Sequence, residues 1–391
     1  MPLPQEAPLY SPAYSRLSSV DLRRKLWLFG LMNQGRIVQV LGDLANLALR
    51  WGLPIQGLVR ATIFRQFCGG ENLHQCTRTI EELASTSIGS IPDYSVEGQD
   101  SEQAMDRCLQ TLLEGLAFAA RNPHTPLFVF KVSGLVSSAA LHQLAEGRPL
   151  NTEVQEQAKR GRERVNTLLQ KAHELQCPIM VDAEESWIQD PIDRLTMEMM
   201  AEFNKQKAVV FNTIQLYRHD RLHFLRISHQ IAEAQGFILG LKLVRGAYME
   251  KERAVALEKN RQSPIQISKE ATDTDYDEAV RFCMDHIHST AVIIASHNEQ
   301  SNLLGAKLLD EMMLPHNHPH VHFSQLYGMS DTITFNLAKE GFNVSKYLPF
   351  GPIQDVIPYL MRRAQENTSV SGQTGRELLQ LKRELARRKS L

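Results

Sequence analysis

The sequence has few cysteines, almost no net charge and no long apolar run, and each absence excludes a class of protein. Five scattered cysteines without a CxxC pair argue against a disulfide framework or a zinc site and favour a reducing compartment. A formal net charge of -1 offers no field for nucleic acid or an anionic membrane. The longest apolar candidate, residues 26–53, is interrupted by polar side chains, so it is interpreted as an amphipathic helix packed on its own protein.

Signatures of nucleotide, metal and export sites are also missing. No G-x-G-x-x-G follows the first predicted strand and no G-x-x-x-x-G-K-[ST] occurs, which excludes a Rossmann turn and a P-loop. His219 and His223 stand among charged residues at a predicted helix start, so no zinc site is predicted there. Glu184 and Glu185 beside Asp182 lack the spaced histidines of a metal site. The N-terminus has neither a signal-peptide pattern nor a basic DNA-binding segment, so we expect no direct gene regulation.

What is present is an alternation of short apolar runs with longer amphipathic segments after residue 85. It predicts an α/β fold, a (β/α)8 barrel, with a doubly wound sheet as the alternative. The predicted domains are a helical arm over residues 1–85, with a Cys-Gly-Gly break at 68–70, and a barrel over 86–391. The predicted strands are 87–96, 126–132, 178–182, 208–213, 238–244, 291–296, 321–324 and 343–348; the predicted helices include 103–121, 151–176, 191–205, 220–234, 274–288 and 300–314.

Polar side chains are concentrated where the predicted strands end. In a barrel these ends meet at one rim, where the chemistry collects. Taken singly, each residue has a structural explanation such as a core ion pair or a helix cap, but the set is more typical of an anion- or cofactor-binding mouth. Arg245 followed by Gly246 suits a phosphate, because glycine allows close backbone approach. The set comprises Lys131, Asp182, Gln215, Tyr217, Lys242, Arg245, Tyr248, Ser296, His297, Gln325 and Tyr327.

Two adjacent arginines, Arg362 and Arg363, follow a Pro-Phe-Gly-Pro break on a predicted helix. Adjacent cations repel and guanidinium matches carboxylate, so a small anionic ligand is predicted between them. Glu366 lies four residues after Arg362 on the same helical face and can hold it in one rotamer. A solvated surface pair is the alternative, but the apolar residues before the pair and Tyr347 at the strand-to-helix corner favour the ligand.

Four motifs in order resemble the proline dehydrogenase family: residues 242–253, 295–299, 325–331 and 347–367. The resemblance extends over about residues 88–385 and is strongest in the last third. It implies a distorted (β/α)8 barrel that holds FAD, with a final helix over the barrel mouth. It also implies oxidation of L-proline to Δ1-pyrroline-5-carboxylate by hydride transfer to the flavin N5, with electrons passing to a quinone or another acceptor. A flavin bound on barrel strands accounts for the missing dinucleotide motif.

The resemblance further implies roles for individual residues and no metal. Lys242 stands where many members have Arg, so its positive charge is kept and bidentate geometry is lost. The proton acceptor for the proline nitrogen is left open. The implied catalytic residues are Lys131, Asp182 and Tyr248; the substrate is bound by Lys131, Tyr347, Tyr359, Arg362, Arg363 and Glu366, and the flavin by Gln215, Lys242, Arg245, Gly246, Ala247, Ser296 and His297.

Tyr347 predicts a preference for proline, because a smaller Ser tends to stand at this position in hydroxyproline-oxidising relatives. Hydroxyproline dehydrogenase is therefore the near alternative. A barrel without turnover that responds to proline or flavin is a second, and an aldolase-like barrel with Lys131 as a Schiff base is a third.

Partners and compartment are expected on the same grounds. We expect no aldehyde dehydrogenase domain after residue 391, and therefore a separate pyrroline-5-carboxylate dehydrogenase that consumes the product. Quinone use implies peripheral membrane contact, for which residues 26–53 and the C-terminal segment are candidates. The expected location is the bacterial cytoplasm, peripheral to the inner membrane, or mitochondria if a targeting peptide has been removed.

Overall fold

Eight parallel strands close into a barrel in chain order in the computed structural model, which describes residues 12–32, 56–94, 101–369 and 373–390. The predicted (β/α)8 class and all eight predicted strands are confirmed. The strands are β1 Gly89–Tyr94, β2 Phe128–Lys131, β3 Ile179–Asp182, β4 Val210–Gln215, β5 Leu239–Val244, β6 Thr290–Ala295, β7 Val321–Leu326 and β8 Val344–Phe350.

Helices surround this barrel, and short ones precede it. The N-terminal arm has α1 Pro12–Ser15, α2 Ser19–Met32, α3 Gln56–Val59, a π-helical turn Arg60–Phe64, α4 Arg65–Phe67 and α5 Leu73–Ala84. The barrel helices are α6 Glu102–Arg121, α7 Ser138–Ala145, α8 Thr152–Glu174, α9 Ser186–Phe203, α10 Arg221–Gln235, α11 Met249–Glu258, α12 Lys269–Asp285, α13 Glu299–Glu311 and α14 Asp331–Lys339; α15 Ile353–Ser369 and α16 Gln373–Lys389 follow β8.

The strands are buried on both faces, which is why they appear in the sequence as nearly continuous apolar runs. Closure comes from β1 pairing with β8 along its whole length, from Gly89 opposite Ser345 to Tyr94 opposite Phe350. Side chains of alternate residues point into the barrel or towards the helices. The interior cluster includes Ile91, Val129, Met180, Phe211, Ile293 and Tyr347.

The predicted starts of α9 and α12 are wrong, and α12 begins at Lys269 rather than at 274. α9 begins at Ser186 rather than at 191, and Pro191 lies inside it. The first turn of α9 is fixed from outside by Glu252 of α11, which accepts hydrogen bonds from the backbone N–H and hydroxyl of Ser186 at 2.7 and 2.6 Å. Three further helices, α7, α11 and α14, were not predicted. α11 buries only Glu252 and Ala256, so it has no apolar period to detect.

The predicted break after β8 starts too early. β8 continues through Pro349 and Phe350, and the Cys-Gly-Gly segment of the arm runs beside its end. The Gly69 N–H donates to the Pro349 carbonyl at 2.9 Å, and the Gly351 N–H donates to the Gly70 carbonyl at 3.2 Å. Proline has no N–H to donate to a neighbouring strand. Pro349 is tolerated because it lies near the end of β8, where its carbonyl still accepts a hydrogen bond.

The arm packs on the helices that follow the barrel. Leu28 and Met32 of α2 join Phe67 and the apolar face of α15 in one cluster, which confirms packing on its own protein for the part of the 26–53 stretch up to Met32. The remainder, residues 33–55, lies outside the described residues. α16 packs on α2, where Leu381 meets Leu22 and Phe29. Within the described residues two helices, α15 and α16, follow β8, whereas one final helix was predicted. The division of the chain at residue 85 stays a prediction.

Candidate active site

Asp182, the last residue of β3, is the centre of a polar cluster in the barrel mouth. Its carboxylate accepts a hydrogen bond from the Tyr347 hydroxyl of β8 at 2.5 Å. The Lys131 ammonium of β2 lies 3.5 Å away, and the Lys242 ammonium of β5 contacts the other carboxylate oxygen. The structure therefore brings together four predicted site residues from four strands, as the convergence of strand ends at one rim requires.

The charges in this cluster fix its protonation. Burial raises the pKa of Asp182, but the Lys242 and Lys131 ammonium groups and the hydrogen bonds from Lys242 and Tyr347 outweigh it and lower that pKa to about 2. Burial and the Asp182 carboxylate together raise the pKa of Tyr347 well above its ordinary value. Asp182 is thus ionised and Tyr347 protonated at neutral pH. The Lys242 ammonium also lies 5.2 Å from the centre of the Tyr347 ring.

Each of the paired arginines of α15 stacks on a different predicted site tyrosine. The Arg362 guanidinium lies 5.5 Å from the Tyr248 ring centre, and that of Arg363 lies 5.2 Å from the Tyr359 ring centre. Arg363 is 7% exposed and Tyr359 5%, so this stack is shielded from water and the cation–π attraction is strengthened. Glu366 lies on α15 as predicted, but its side chain is outside the described part of the structure.

Arg245, after β5, is the centre of a second polar cluster at the rim. Its guanidinium donates to Asp273 and Ser296 at 2.7 Å each and to Ser301 at 3.0 Å. It also lies 4.4 Å from the Tyr276 ring centre. The Asp273 carboxylate balances the positive charge of Arg245, which was predicted to suit a phosphate. Asp273, Tyr276 and Ser301 lie on α12 and α13, and no strand-end signal pointed to them.

Gly246 and Gln215 are two predicted flavin contacts at the rim whose surroundings differ. Gly246 has φ +139°, and a Cβ there would lie 2.5 Å from the Tyr217 ring, so only glycine fits. Ala247 follows it in the same loop. Gln215 faces the barrel interior, like Phe211 and Thr213 on its strand. Its amide N–H donates to the Glu184 carbonyl at 3.0 Å, whereas its buried Oε1 has no partner among the described residues.

His297, after β6, is partly buried next to cations. Burial and the charges of Lys346, Arg363 and Arg245 lower the pKa of His297 to about 3, so its ring is neutral at neutral pH. Its Nδ1 lies 2.9 Å from the Ser330 hydroxyl of the loop after β7.

Glu184 is a site residue that the sequence interpretation set aside. Its carboxylate accepts the Ser133 N–H at 2.9 Å, and burial raises its pKa to about 7. The signal was its position, two residues after Asp182 at the same strand end.

No group of three or more His, Cys, Asp or Glu within the described ranges is arranged to hold a metal. His219 and His223 are both exposed, as predicted.

Fold and site together define a (β/α)8 barrel with a buried, cation-rich mouth lined by tyrosines. A model of the family "Proline dehydrogenase" matches residues 76–376. Mitochondrial proline dehydrogenase 1 of Dictyostelium discoideum is 31% identical, covering 88% of this chain and 68% of its own length. The carbapenem antibiotics biosynthesis protein CarD of Pectobacterium carotovorum subsp. carotovorum is 34% identical, covering 85% and 86%. The chain belongs to the proline dehydrogenase family.

A solved structure shares the fold. Proline utilization A of Bdellovibrio bacteriovorus, inactivated by N-propargylglycine, superposes with a TM-score of 0.72 at 19% identity. The match covers 90% of this chain and 37% of that one. At this identity the likeness supports the barrel architecture alone. No helix within the described residues is both long and apolar enough to cross a membrane.

Proposed function

We propose that this chain oxidises L-proline to Δ1-pyrroline-5-carboxylate, the first step of proline catabolism to glutamate. Membership of the proline dehydrogenase family supports the proposal. The observation that carries it is the Asp182 carboxylate held ionised between Lys131 and Lys242, together with the two arginine–tyrosine stacks. Proline is a small zwitterion, and a mouth with fixed charges of both signs suits it.

Within this proposal, Arg362 and Arg363 bind the substrate carboxylate, with Glu366 in support, because guanidinium offers paired donors to a carboxylate. Tyr248, Tyr347 and Tyr359 close the pocket around the ring. Lys131 binds substrate as well. Lys131, Asp182 and Tyr248 are the proposed catalytic residues.

We propose that the net charge of the mouth helps the substrate nitrogen to lose its proton. Lys131, Lys242 and Asp182 sum to one positive charge, and Arg362 and Arg363 lie at the same mouth. Positively charged surroundings disfavour the ammonium form of the bound substrate, so they lower its pKa and favour the neutral amine. Solvent can then take the proton. Catalysis is mainly the positioning of that amine.

The proposed cofactor is FAD, which when bound accepts the hydride at N5 and passes the electrons to a quinone or another acceptor. The rim residues fit it. A flavin edge carries an N–H and carbonyl oxygens, and Gln215 offers a buried amide oxygen that has no partner among the described residues. The residues that would hold the cofactor are Gln215, Lys242, Arg245, Gly246, Ala247, Ser296 and His297.

Tyr347 carries the proposed choice of substrate. Its ring is fixed because the hydroxyl is hydrogen-bonded to Asp182, so it fills the space that a ring hydroxyl would need. Proline is therefore preferred over hydroxyproline. The Schiff-base alternative is disfavoured, since the Asp182 carboxylate favours the charged form of Lys131.

The proposed setting follows from the family. The electron acceptor is a quinone or similar molecule reached by peripheral membrane contact, and a separate pyrroline-5-carboxylate dehydrogenase consumes the product. The names of several relatives contain "mitochondrial", which supports mitochondria over a bacterial inner-membrane surface. Residues 86–391 form the proposed FAD-binding barrel, with residues 1–85 as its arm.

A steady-state assay tests the proposal. The purified protein, reconstituted with FAD, is given L-proline and a soluble quinone, and pyrroline carboxylate is trapped with an aromatic aldehyde-amine reagent. Formation of the trapped product with equal quinone reduction supports the proposal. Quinone reduction with trans-4-hydroxy-L-proline alone would replace proline by hydroxyproline, and no product from either substrate would overturn it.

A further inference from the structure

The loop between β7 and α14, residues 327–330, is held by the N-terminal arm. Gln66 of α4 donates its amide to the Gly328 carbonyl at 2.8 Å. Gly328 has φ +78°, and a Cβ there would lie 2.0 Å from the Gln66 carbonyl, so the two backbones touch. The Lys25 ammonium of α2 pairs with Asp331, the first residue of α14, at 2.9 Å.

The same loop is held by the last helix of the chain. The carboxylate of Glu377, on α16, accepts the backbone N–H of Ser330. One turn further, Gln380 accepts the Thr332 hydroxyl at 2.5 Å. Lys346 of β8 donates to the Met329 carbonyl at 2.5 Å and pairs with Asp331 at 2.9 Å. The N-terminal arm and the last helix therefore both contact the segment 328–332.

Ser330 itself departs from what its position predicts. It is the N-cap residue of α14, where a serine ordinarily adopts extended backbone and its hydroxyl accepts a helix N–H. Here φ and ψ are 51° and 39°, a left-handed conformation that is unfavourable for serine, and the side chain makes no cap hydrogen bond. The hydroxyl is instead 2.9 Å from His297 Nδ1.

We propose that Ser330 is a positioning residue that orients the His297 ring towards the cofactor, and that Glu377 holds Ser330 in the backbone conformation that this contact requires. The inference rests on the proposed function, in which His297 contacts the flavin. The hydrogen bond at Nδ1 sets both the tilt of the ring and which nitrogen carries the proton. The C-terminal helix then belongs to the cofactor site although it does not line the barrel.

Ser330→Gly is the decisive variant. Glycine adopts the left-handed conformation freely, so this change removes the hydroxyl and relieves the strain together. A residue that served only the fold would give a protein at least as stable with unchanged cofactor binding. We expect equal or greater thermal stability but FAD binding weakened about tenfold, as fits the loss of one positioning contact.

Glu377 is tested in the same holoenzyme with a matched control on its own helix. Glu377→Ala deletes the acceptor for the Ser330 N–H, whereas Glu377→Gln retains an oxygen there. Glu384 lies seven residues later on α16, is buried, and pairs with Arg387 and Arg388 rather than with the loop. We expect about a tenfold loss of FAD affinity in Glu377→Ala, near-native affinity in Glu377→Gln, and no change in Glu384→Ala.

A readout without cofactor separates this inference from the proposed function. Nitrogen-15 spectra of the histidines in the apoprotein, with His297 assigned through His297→Gln, report the tautomer of that ring. We expect the His297 shifts to change in Ser330→Gly and Glu377→Ala and to match the native shifts in Glu384→Ala. Native protein that binds FAD while both variants keep native affinity and native shifts overturns the inference alone. Native protein that binds no FAD overturns the proposed function and the inference with it.

Discussion

The Tyr347 hydroxyl reaches across the barrel mouth from β8 and donates a 2.5 Å hydrogen bond to Asp182 at the end of β3. Tyr347 is thereby fixed between a carboxylate and the Lys242 ammonium, which lies 5.2 Å from its ring centre. The phenol cannot swing aside without breaking a buried, charge-assisted hydrogen bond. The size of the pocket at this point is therefore set by one rigid side chain.

Replacing Tyr347 by Ser should move the substrate preference towards hydroxyproline. Serine removes the ring and leaves room for a hydroxyl, and differences of this size in a pocket change specificity by about 10–200-fold. We expect the ratio of kcat/KM for trans-4-hydroxy-L-proline over L-proline to rise by at least about tenfold. Tyr347→Phe, which keeps the volume and loses the hydrogen bond, should retain the preference for proline. An unchanged ratio in Tyr347→Ser would show that Tyr347 does not set the choice.

Removing either arginine of the pair should weaken substrate binding through the substrate carboxylate. Hydrogen bonds to charged groups contribute about 1.5–3 kcal/mol, so Arg363→Met should raise KM for L-proline roughly 10–150-fold. The native enzyme should discriminate strongly against prolinamide, which lacks the carboxylate, and the variant should lose most of that discrimination. Arg226, half exposed and paired with Glu278 on the outer helices, provides the control. Equal loss with proline and prolinamide would contradict a carboxylate clamp.

Glu184 should make the free energy of unfolding depend on pH. Burial raises its pKa from 4.5 to about 7, so the folded protein binds this proton more tightly than the unfolded chain. The stability it contributes is present below pH 4.5 and is lost as the pH rises through 7. Glu184→Gln keeps an acceptor for the Ser133 N–H without the charge. We expect it to exceed the native protein in stability by on the order of 1–3 kcal/mol at high pH.

Urea denaturation of both proteins at pH values below and above this window measures the difference. At low pH, where both forms are neutral, the two unfolding free energies should nearly coincide. A Glu184→Gln variant that is less stable than the native protein above the window would contradict the assignment of a buried, strained charge to Glu184.

Gly246→Ala should cost more stability than an alanine at another glycine with positive φ. Gly246 has φ +139°, and an added Cβ would lie 2.5 Å from the Tyr217 ring, whereas Gly147 has φ +65° and nothing within 4 Å. Both variants carry the conformational cost of about 1 kcal/mol, and only Gly246→Ala adds a clash with a buried ring. We expect its Tm to fall several degrees further than that of Gly147→Ala. Equal shifts would mean that the Tyr217 contact relaxes without cost.

The barrel and much of its rim could be predicted because they depend on local patterns. Parallel strands buried on both faces appear as short apolar runs, and their ends supplied Lys131, Asp182, Lys242 and Tyr347. The partners within the rim could not be predicted. Asp273 and Ser301 orient Arg245 from helices whose sequences give no sign of it, because that contact depends on how helices pack on the barrel.

Residues distant in sequence were missed for the same reason. Glu377 meets Ser330 across 47 positions of sequence, and α11 was missed because its inward residue is the charged Glu252, which fixes the start of α9. In both contacts a carboxylate accepts a hydrogen bond from a backbone N–H. Sequence periodicity detects apolar burial, and it does not detect a carboxylate that binds a distant backbone.

The most direct test of the proposed activity is the visible absorption spectrum of the purified, FAD-reconstituted protein, recorded without oxygen before and after L-proline is added. A proline dehydrogenase should show an oxidised flavin spectrum that bleaches on addition of L-proline and recovers when a quinone is supplied. A bound flavin that L-proline leaves oxidised, or a protein that retains no flavin, would contradict the proposed activity.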